Sequence, residues 1–153
     1  MNEIVCTPVA VVVGGRKEIV DDNWGNETSI IRLDDAFSAN ALAGLEDFSH
    51  VEVIFWFDRV PEDKIEVGSR HPRGREDWPL VGIFAQRGKN RPNRLGVSRA
   101  EVLRVEGRDL HVRGLDAIDG TPVLDIKPVM REFEARGAVH QPDWATELMR
   151  TYY

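Results

Sequence analysis

Two short basic stretches carry the residue types best suited to anion chemistry. RGKNRPNRLGVS, residues 87–98, holds Arg87, Lys89, Arg91 and Arg94 around a proline. SRHPRGRED, residues 69–77, places three arginines around a His-Pro pair. Guanidinium groups offer paired N–H donors in a fixed fork, which suits phosphate and carboxylate ligands. Both stretches therefore predict anion recognition, while a structural turn or an ion-paired loop is an equally open interpretation of each taken alone.

The charge distribution favours one localised anion site. Residues 70–99 contain eight cationic residues but only Glu76 and Asp77 as carboxylates, which gives 8 − 2 = +6. The whole chain has a net charge of −6, so the remainder carries −6 − 6 = −12. A basic segment within an acidic protein indicates a local binding surface rather than a generally basic coat.

Several familiar chemistries are excluded by the sequence. No two of the 13 glycines stand two residues apart, so the GxGxxG dinucleotide fingerprint is absent. GIFAQRGK has one residue too many for a Walker A loop, and Asn90 stands where Ser or Thr would bind magnesium. The single cysteine excludes an internal disulfide, and the four histidines lack metal-ligand spacing. No metal site is expected.

A third stretch, GLDAIDGTPVLDIKP at residues 114–128, contains the turn dipeptide Asp119-Gly120 followed by a strand. Such a turn can direct backbone N–H and C=O groups outward toward the polar edge of a ligand. Asp116, Asp119 and Asp125 could instead serve only as turn and strand-edge residues. The residues alone leave both interpretations open.

The elements that must position these stretches are mostly strands. Apolar β-branched runs predict strands at residues 4–13, 29–33, 50–58, 80–86 and 121–128. A hairpin about Gly107-Arg108 adds two more, in which Leu103 and Val105 pair with Leu110 and Val112. In the third run, alternation puts Val51, Val53, Phe55 and Phe57 on one face. Residues 38–48 allow one short helix that Ser38 caps and Gly44 breaks. Residues 59–79 form a long loop, and residues 141–153 predict a helix with Asp143 as its N-cap. The fold class is mainly β, a small single-domain barrel or sandwich with a short C-terminal helix.

Taken in order, HPRGREDWPLVGIFAQR, RPNRLGVS and GLDAIDGTPVLDIKP resemble the TrmO family. The resemblance is strongest over residues 69–128 and extends more weakly back to the first strand. It implies a non-Rossmann β-barrel, with a barrel domain at residues 1–130 and an extension at residues 131–153 whose helix packs on the barrel or on a dimer partner. It also implies a cytoplasmic homodimer that uses S-adenosylmethionine to methylate N6 of N6-threonylcarbamoyladenosine, the tRNA nucleoside 3′ of the anticodon. No membrane segment is expected.

The resemblance also implies site residues. Cofactor contacts are expected at Asp58, Arg59, Arg87, Val97, Asp119, Gly120, Thr121 and Pro122. A further contact is expected near Trp24-Gly25, where the sequence diverges from the family. Contacts to substrate phosphate or carboxylate groups are expected at Arg73, Arg75, Lys89, Arg91 and Arg94. The resemblance identifies no catalytic acid or base.

The chain departs from the family pattern on its expected substrate side. Arg94-Leu95 replace a usual Pro-Ile, Gly88-Lys89 replace a Ser or Thr and its neighbour, and Val129 replaces an aromatic residue. These departures leave two alternatives open. One is a small-molecule methyltransferase on the same barrel, and the other is a non-catalytic barrel that binds a nucleotide or RNA.

Overall fold

A computed structural model describes residues 1–153 as a closed antiparallel barrel with one short α-helix. The strands are β1 (Ala10–Val13), β2 (Thr28–Leu33), β3 (His50–Trp56), β4 (Ser69–Arg70), β5 (Val81–Gly82), β6 (Leu95–Glu106), β7 (Asp109–Arg113) and β8 (Pro122–Pro128), and the helix is α1 (Asp143–Met149). Six strands close the barrel in the order β1-β2-β7-β6-β3-β8, and β4 pairs separately with β5. The predicted fold class, mainly β with a barrel and a short C-terminal helix, is confirmed.

The barrel interior follows the alternation predicted for β3. Val51, Val53 and Phe55 are buried, whereas the intervening residues are half-buried. Successive side chains of a strand point to opposite faces, so these three enter the core together. There they meet Ile31 of β2 and Leu110 of β7, both fully buried. The apolar interior therefore fixes the register of each strand, because a slip by one residue would turn its apolar set outward.

The predicted hairpin about Gly107-Arg108 is confirmed as the β6–β7 connection. Gly107 has φ +60°, which glycine adopts without steric penalty. Val105 pairs with Leu110 as the pattern predicts. An irregularity then places Val102, and not Leu103, opposite Val112. A bulge of this kind bends the strand, and β6 uses it to pass from β3 to β7.

Two predicted strands are shorter than the sequence indicates. The first begins only at Ala10, because β2 and β8 offer it just four register positions, and residues 1–8 are exposed. The run at residues 80–86 contributes only Val81–Gly82 and then forms a 3₁₀ turn at Ile83–Ala85. The buried Gln86 side chain donates hydrogen bonds to the carbonyls of Arg70 and Val81, both at 3.0 Å, and so replaces strand pairing there.

The predicted helix at residues 38–48 is wrong in form. The chain makes two 3₁₀ turns, Ala39–Leu42 and Leu45–Asp47, separated by Gly44 at φ +91°. Ser38 makes no capping hydrogen bond with its side chain. A glycine in this left-handed conformation ends a helix, so the predicted break at Gly44 is present.

The predicted terminal helix exists but is shorter than residues 141–153. Asp143 is the first helical residue rather than the N-cap, which is Pro142. Glu147 of α1 accepts a hydrogen bond from the Trp78 indole nitrogen at 3.1 Å and so ties the helix to the loop before β5. Tyr152 lies beyond the helix. None of the helices has the length and apolar character needed to cross a bilayer.

Candidate functional site

One end of the barrel gathers the three sequence motifs. Because neighbouring strands are antiparallel, β3 ends at Trp56 directly beside the start of β6 at Leu95. The start of β8 lies on the other side of β3, where Phe55 pairs with Val123. The carboxyl ends of β1 and β7 and the amino end of β2 close the same circle. We call this the site end of the barrel.

All eight residues predicted to contact the cofactor lie at the site end. Asp58 and Arg59 follow β3, and Arg87 precedes β6. Val97 is the third residue of β6 and pairs with β3, and residues 119–122 lead into β8. The chain brings them together from four separate segments. The barrel topology thus accounts for why motifs so distant in sequence can serve one site.

The turn at residues 119–122 is fixed by its own hydrogen bonds. One carboxylate oxygen of Asp119 accepts the Gly14 N–H at 2.8 Å. The N–H groups of Asp119, Gly120 and Thr121 all donate to backbone carbonyls within the barrel. The expectation that N–H groups face outward is therefore wrong, because the turn uses them internally. The carbonyls of Asp119 and Gly120 accept no backbone hydrogen bond, so the turn offers a ligand acceptors rather than donors.

Arg59 lies beside this turn. A β-carbon at Gly120, which has φ +87°, would stand 3.9 Å from a terminal guanidinium nitrogen of Arg59. Arg59 and Asp58 are both exposed, and Arg59 has no carboxylate partner. The site end therefore presents a free guanidinium next to two carbonyl acceptors.

Arg87 and Val97 form a second part of the site. The Arg87 guanidinium donates to the Val97 carbonyl at 2.7 Å, which joins the β5–β6 loop to the start of β6. The Val97 side chain is 40% exposed and offers an apolar surface there. The next side chain, Ser98, is buried, and its hydroxyl has no hydrogen-bond partner. Buried polar groups without partners are uncommon and point to a missing ligand or water.

Sequence reasoning missed a cluster formed by Asp116, Tyr152 and Tyr153. The Tyr152 hydroxyl donates to one carboxylate oxygen of Asp116, and the other oxygen, Oδ1, is buried without a partner. Burial, followed by the Asp116 carboxylate, raises the pKa of Tyr152. Burial and then the Asp116 carboxylate also raise the pKa of Tyr153. The spacing of Asp116 from the Asp119 turn is a usable signal, but no periodicity links residues 152 and 153 to it.

The N-terminal loop joins the same cluster at the position where the family resemblance could not be aligned. The buried Trp24 donates its backbone N–H to the Tyr152 carbonyl at 2.8 Å, and Asn23 donates to Thr151 at 2.9 Å. Gly25 packs so closely that a β-carbon there would lie 2.9 Å from the Tyr153 carbonyl carbon. Residues 151–153, which we call the tyrosine strap, are therefore seated against this loop.

Two of the five predicted substrate cations are held by carboxylates. Arg73 donates to both oxygens of Asp22, at 2.8 and 3.1 Å, and this hydrogen bond lowers the pKa of Asp22. Arg75 contacts Asp77 and, at 3.5 Å, the carboxylate of α1, while it stacks on a tryptophan ring 3.9 Å away. The ion-paired interpretation of residues 69–77 thus describes both arginines in this structure.

The other three predicted substrate cations have no carboxylate within ion-pair distance. Arg91 donates to the Gln86 carbonyl at 2.7 Å. Arg94 donates to the Val60 carbonyl at 2.7 Å, and its guanidinium lies 4.6 Å from the ring centre of Trp56. Backbone carbonyls leave the positive charge uncompensated, so Arg91, Arg94 and Lys89 remain available to an anion.

Arg94 and its neighbour Asn93 also occupy the left-handed region, with φ +53° and +61°. For a residue with a β-carbon this conformation costs about 1–2 kcal/mol. The hydrogen bond to Val60 and the contact with the Trp56 ring offset that cost and hold the Arg94 guanidinium next to the end of β3. Arg94, where the chain departs from the family pattern, is therefore held in a defined position by its own contacts.

The remaining groups offer no competing centre. No set of three or more His, Cys, Asp or Glu side chains is arranged to hold a metal ion. A cleft of about 430 Å³ is lined mainly by apolar residues between Val9 and Phe48 and by Asp125, Ile126 and Pro128. It includes none of the predicted site residues.

The part of the chain that contains the site segments is similar to known proteins. A family model described as the tRNA-methyltransferase O N-terminal domain matches residues 22–135. The chain is 33% identical over 135 residues to an S-adenosyl-L-methionine-binding protein of Archaeoglobus fulgidus, covering 86% of this chain and 93% of that one. It is 37% identical over 103 residues to the human tRNA (adenine(37)-N6)-methyltransferase, covering 67% of this chain and 23% of that one.

Solved structures agree with the sequence comparison. The crystal structure of TrmO from Pseudomonas aeruginosa superposes with a TM-score of 0.75 at 26% identity, covering 94% of this chain and 62% of that chain. The chain spans only 30% of the length of a second, longer Archaeoglobus fulgidus relative and less than a quarter of the human one.

Proposed function

Because this chain belongs to the TrmO family through its match to the N-terminal domain, we propose that it is an S-adenosylmethionine-dependent tRNA methyltransferase. Its target in this proposal is N6 of N6-threonylcarbamoyladenosine, 3′ of the anticodon. One observation carries the proposal: four segments of the matched region converge at the site end beside two buried polar atoms without partners, Ser98 Oγ and Asp116 Oδ1. The names of the relatives in the preceding comparison support the same activity.

The residues at the site end fit S-adenosylmethionine chemically. The carbonyls of Asp119 and Gly120 suit an amino or hydroxyl donor, and Arg59 or Arg87 suits the carboxylate of an amino acid. Val97 suits an apolar edge. When bound, the cofactor would supply an electrophilic methyl group on a sulfonium centre. None of these contacts requires a phosphate or a metal ion.

The protein's part in methyl transfer is to position the two reactants and exclude water. Methyl transfer to the nitrogen would leave a proton that must pass to water. The Asp119 carboxylate already accepts a hydrogen bond from the Gly14 N–H, so it is the weaker candidate to accept this proton. Asp58 is exposed and has no such commitment, so it is the better carboxylate to receive the proton through water. We assign no catalytic residue beyond this.

The tRNA would approach through the basic surface at residues 59–94. Lys89, Arg91 and Arg94 carry charge that no carboxylate neutralises, and Arg59 lies at the edge of the cofactor site. Arg73 and Arg75 belong to the same proposed surface. Each must break its ion pair with a carboxylate before it can bind a phosphate of the tRNA. The threonyl carboxylate of the modified base is a second anion that an arginine fork can bind.

We also propose that the chain acts as a homodimer, with residues 1–130 as the barrel domain and residues 131–153 as its extension. Phe84 is 78% exposed and lies on the loop that leads to Arg87, so an apolar contact is available at the edge of the site. Light scattering should report a dimer, and Phe84→Asp should convert it to a monomer with an unchanged circular dichroism spectrum. A wild-type monomer at micromolar concentration would refute the dimer.

The experiment that tests the activity is methyl transfer from labelled S-adenosylmethionine to bulk tRNA, with and without prior threonylcarbamoylation, followed by digestion to nucleosides. Label confined to threonylcarbamoyladenosine is the expected result. Arg87→Met should reduce transfer, whereas Arg104→Met, in the β6–β7 hairpin, should not. Cofactor binding without label on any tRNA would favour the small-molecule methyltransferase, and absence of cofactor binding would favour the non-catalytic barrel.

A further inference from the structure

The buried carboxylate of Asp116 has one satisfied and one unsatisfied oxygen. Tyr152 donates to one oxygen, and Oδ1 is shielded from water with no hydrogen-bond partner. An ionised oxygen left in this state is costly, because burial removes its hydration and nothing replaces it. No arginine, lysine or histidine pairs with Asp116 in the structure.

Asp116 lies on a segment that forms the site end, three residues before the turn at residues 119–122. Its carboxylate oxygen Oδ1 is buried without a partner, and so is Ser98 Oγ, which follows Val97 in β6. Buried polar atoms without partners are uncommon, and a polar ligand at the site end would satisfy them.

We propose that Asp116 is a ligand-binding residue, whose Oδ1 accepts a hydrogen bond from an N–H or O–H group of the methyl donor. A carboxylate can only accept, so the group it binds must be the ammonium, a ribose hydroxyl or the adenine amino group of S-adenosylmethionine. The inference rests on the proposed function, because it assumes that S-adenosylmethionine binds at the site end. It extends that function to a residue for which neither the sequence motifs nor the resemblance provides a role.

Tyr152 is the positioning residue for this carboxylate. Its hydroxyl fixes Asp116 through one oxygen and leaves the other, Oδ1, without a partner. The tyrosine strap is itself held by the Trp24 and Asn23 backbone N–H groups and by close packing on Gly25. Four contacts from two segments thus secure the orientation of a single carboxylate.

The test is calorimetric titration with S-adenosylhomocysteine, the product form of the donor, and with 5′-methylthioadenosine, which lacks the amino acid part. Asp116→Asn should weaken S-adenosylhomocysteine binding by about tenfold or more, the effect of losing a hydrogen bond to a charged group. Asp109→Asn, a carboxylate paired with Arg32 on the barrel wall, is the matched control and should bind as wild type. Tyr152→Phe should weaken binding less than Asp116→Asn does.

The two probes distinguish the bound group. An equal loss for both probes in Asp116→Asn assigns Oδ1 to the adenosine part, and a loss for S-adenosylhomocysteine alone assigns it to the ammonium. Either result supports the proposal. Wild-type binding with unchanged affinity in Asp116→Asn would overturn this inference while the proposed function stands. No binding to the wild-type protein would overturn both, and far-ultraviolet circular dichroism confirms that each variant is folded.

Discussion

Gly96 of β6 lies opposite Phe55 of β3, and the Phe55 ring fills the space that a side chain at position 96 would need. A β-carbon there would lie no more than 2.9 Å from three ring carbons of Phe55. The ring also packs edge-on against Phe57 with centroids 5.2 Å apart, so it has little freedom to retreat. This one contact sets how closely β3 and β6 approach at the site end.

Gly96→Ala should therefore destabilise the barrel. Insertion of a methyl group into a packed core typically costs about 1–3 kcal/mol, because the ring must leave its preferred position. Urea denaturation followed by tryptophan fluorescence measures the change in the free energy of unfolding. Gly82→Ala is the control, since a β-carbon at position 82 would meet nothing closer than 4.0 Å. Equal stability of the two variants would contradict the packing argument.

The salt dependence of tRNA binding should separate free from paired cations. Lys89→Ala is expected to lower the affinity and to reduce the slope of log K against log salt by about 1, the effect of losing one phosphate contact. Arg75→Ala should reduce the slope less, because Asp77 and Glu147 already compete for its charge. Filter binding at several salt concentrations gives both slopes. A larger loss for Arg75→Ala than for Lys89→Ala would reverse this ranking.

The sequence predicted the elements whose patterns are local. The alternation of Val51, Val53 and Phe55 and the turn at Gly107 depend on neighbours within a few residues, and both appear as expected. The strand at residues 4–13 failed at its first half because pairing depends on what β2 and β8 provide. The composition of one segment does not show how long its partner strands are, so the length of the first strand could not be predicted.

Only the parts of the candidate site that lie within one short stretch of sequence could be predicted. The motif around Asp119-Gly120 is contiguous, so both its position and its turn could be predicted. The link between Tyr152 and Asp116 joins residues 36 positions apart through a segment with no sequence pattern of its own. The pairing of Arg73 with Asp22, 51 positions away, was equally beyond reach. Contacts of that kind are set by tertiary packing, which single-sequence patterns do not record.

The pair formed by Asp22 and Arg73 should stabilise the protein in a pH-dependent way. The hydrogen bond from Arg73 lowers the pKa of Asp22 below its ordinary value of 3.8. A carboxylate with a lowered pKa stabilises the folded state above about pH 4, and this contribution disappears as the pH falls through the folded-state value. Arg73→Met should thus be less stable than wild type at neutral pH, by less than about 1 kcal/mol.

The difference between Arg73→Met and wild type should shrink at about pH 3, where Asp22 becomes protonated in the unfolded chain. Urea denaturation at the two pH values measures it. Lys17→Met removes the same charge from an exposed residue without an ion pair and should show no such pH dependence. A stability difference that is the same at both pH values would show that the ion pair is not its source.

The tyrosine strap offers the cleanest spectroscopic test, because Tyr152 and Tyr153 are the only tyrosines in the chain. Burial and the Asp116 carboxylate raise both phenol pKa values above the ordinary 10.0. Phenolate absorbance of the native protein should therefore be small at pH 10, where the urea-unfolded protein is half ionised. Because the pKa values are raised, the strap's contribution to stability is complete below pH 10 and is lost as the pH rises further.

Two variants assign the titration to individual residues. Tyr153→Phe leaves Tyr152 as the only phenol, and its ionisation should remain far above pH 10. Asp116→Asn in that background removes the neighbouring negative charge and should move the Tyr152 pKa toward its ordinary value, although burial keeps it raised. If the native protein instead titrates near pH 10 in both backgrounds, Tyr152 is not seated against Asp116, and the strap does not form.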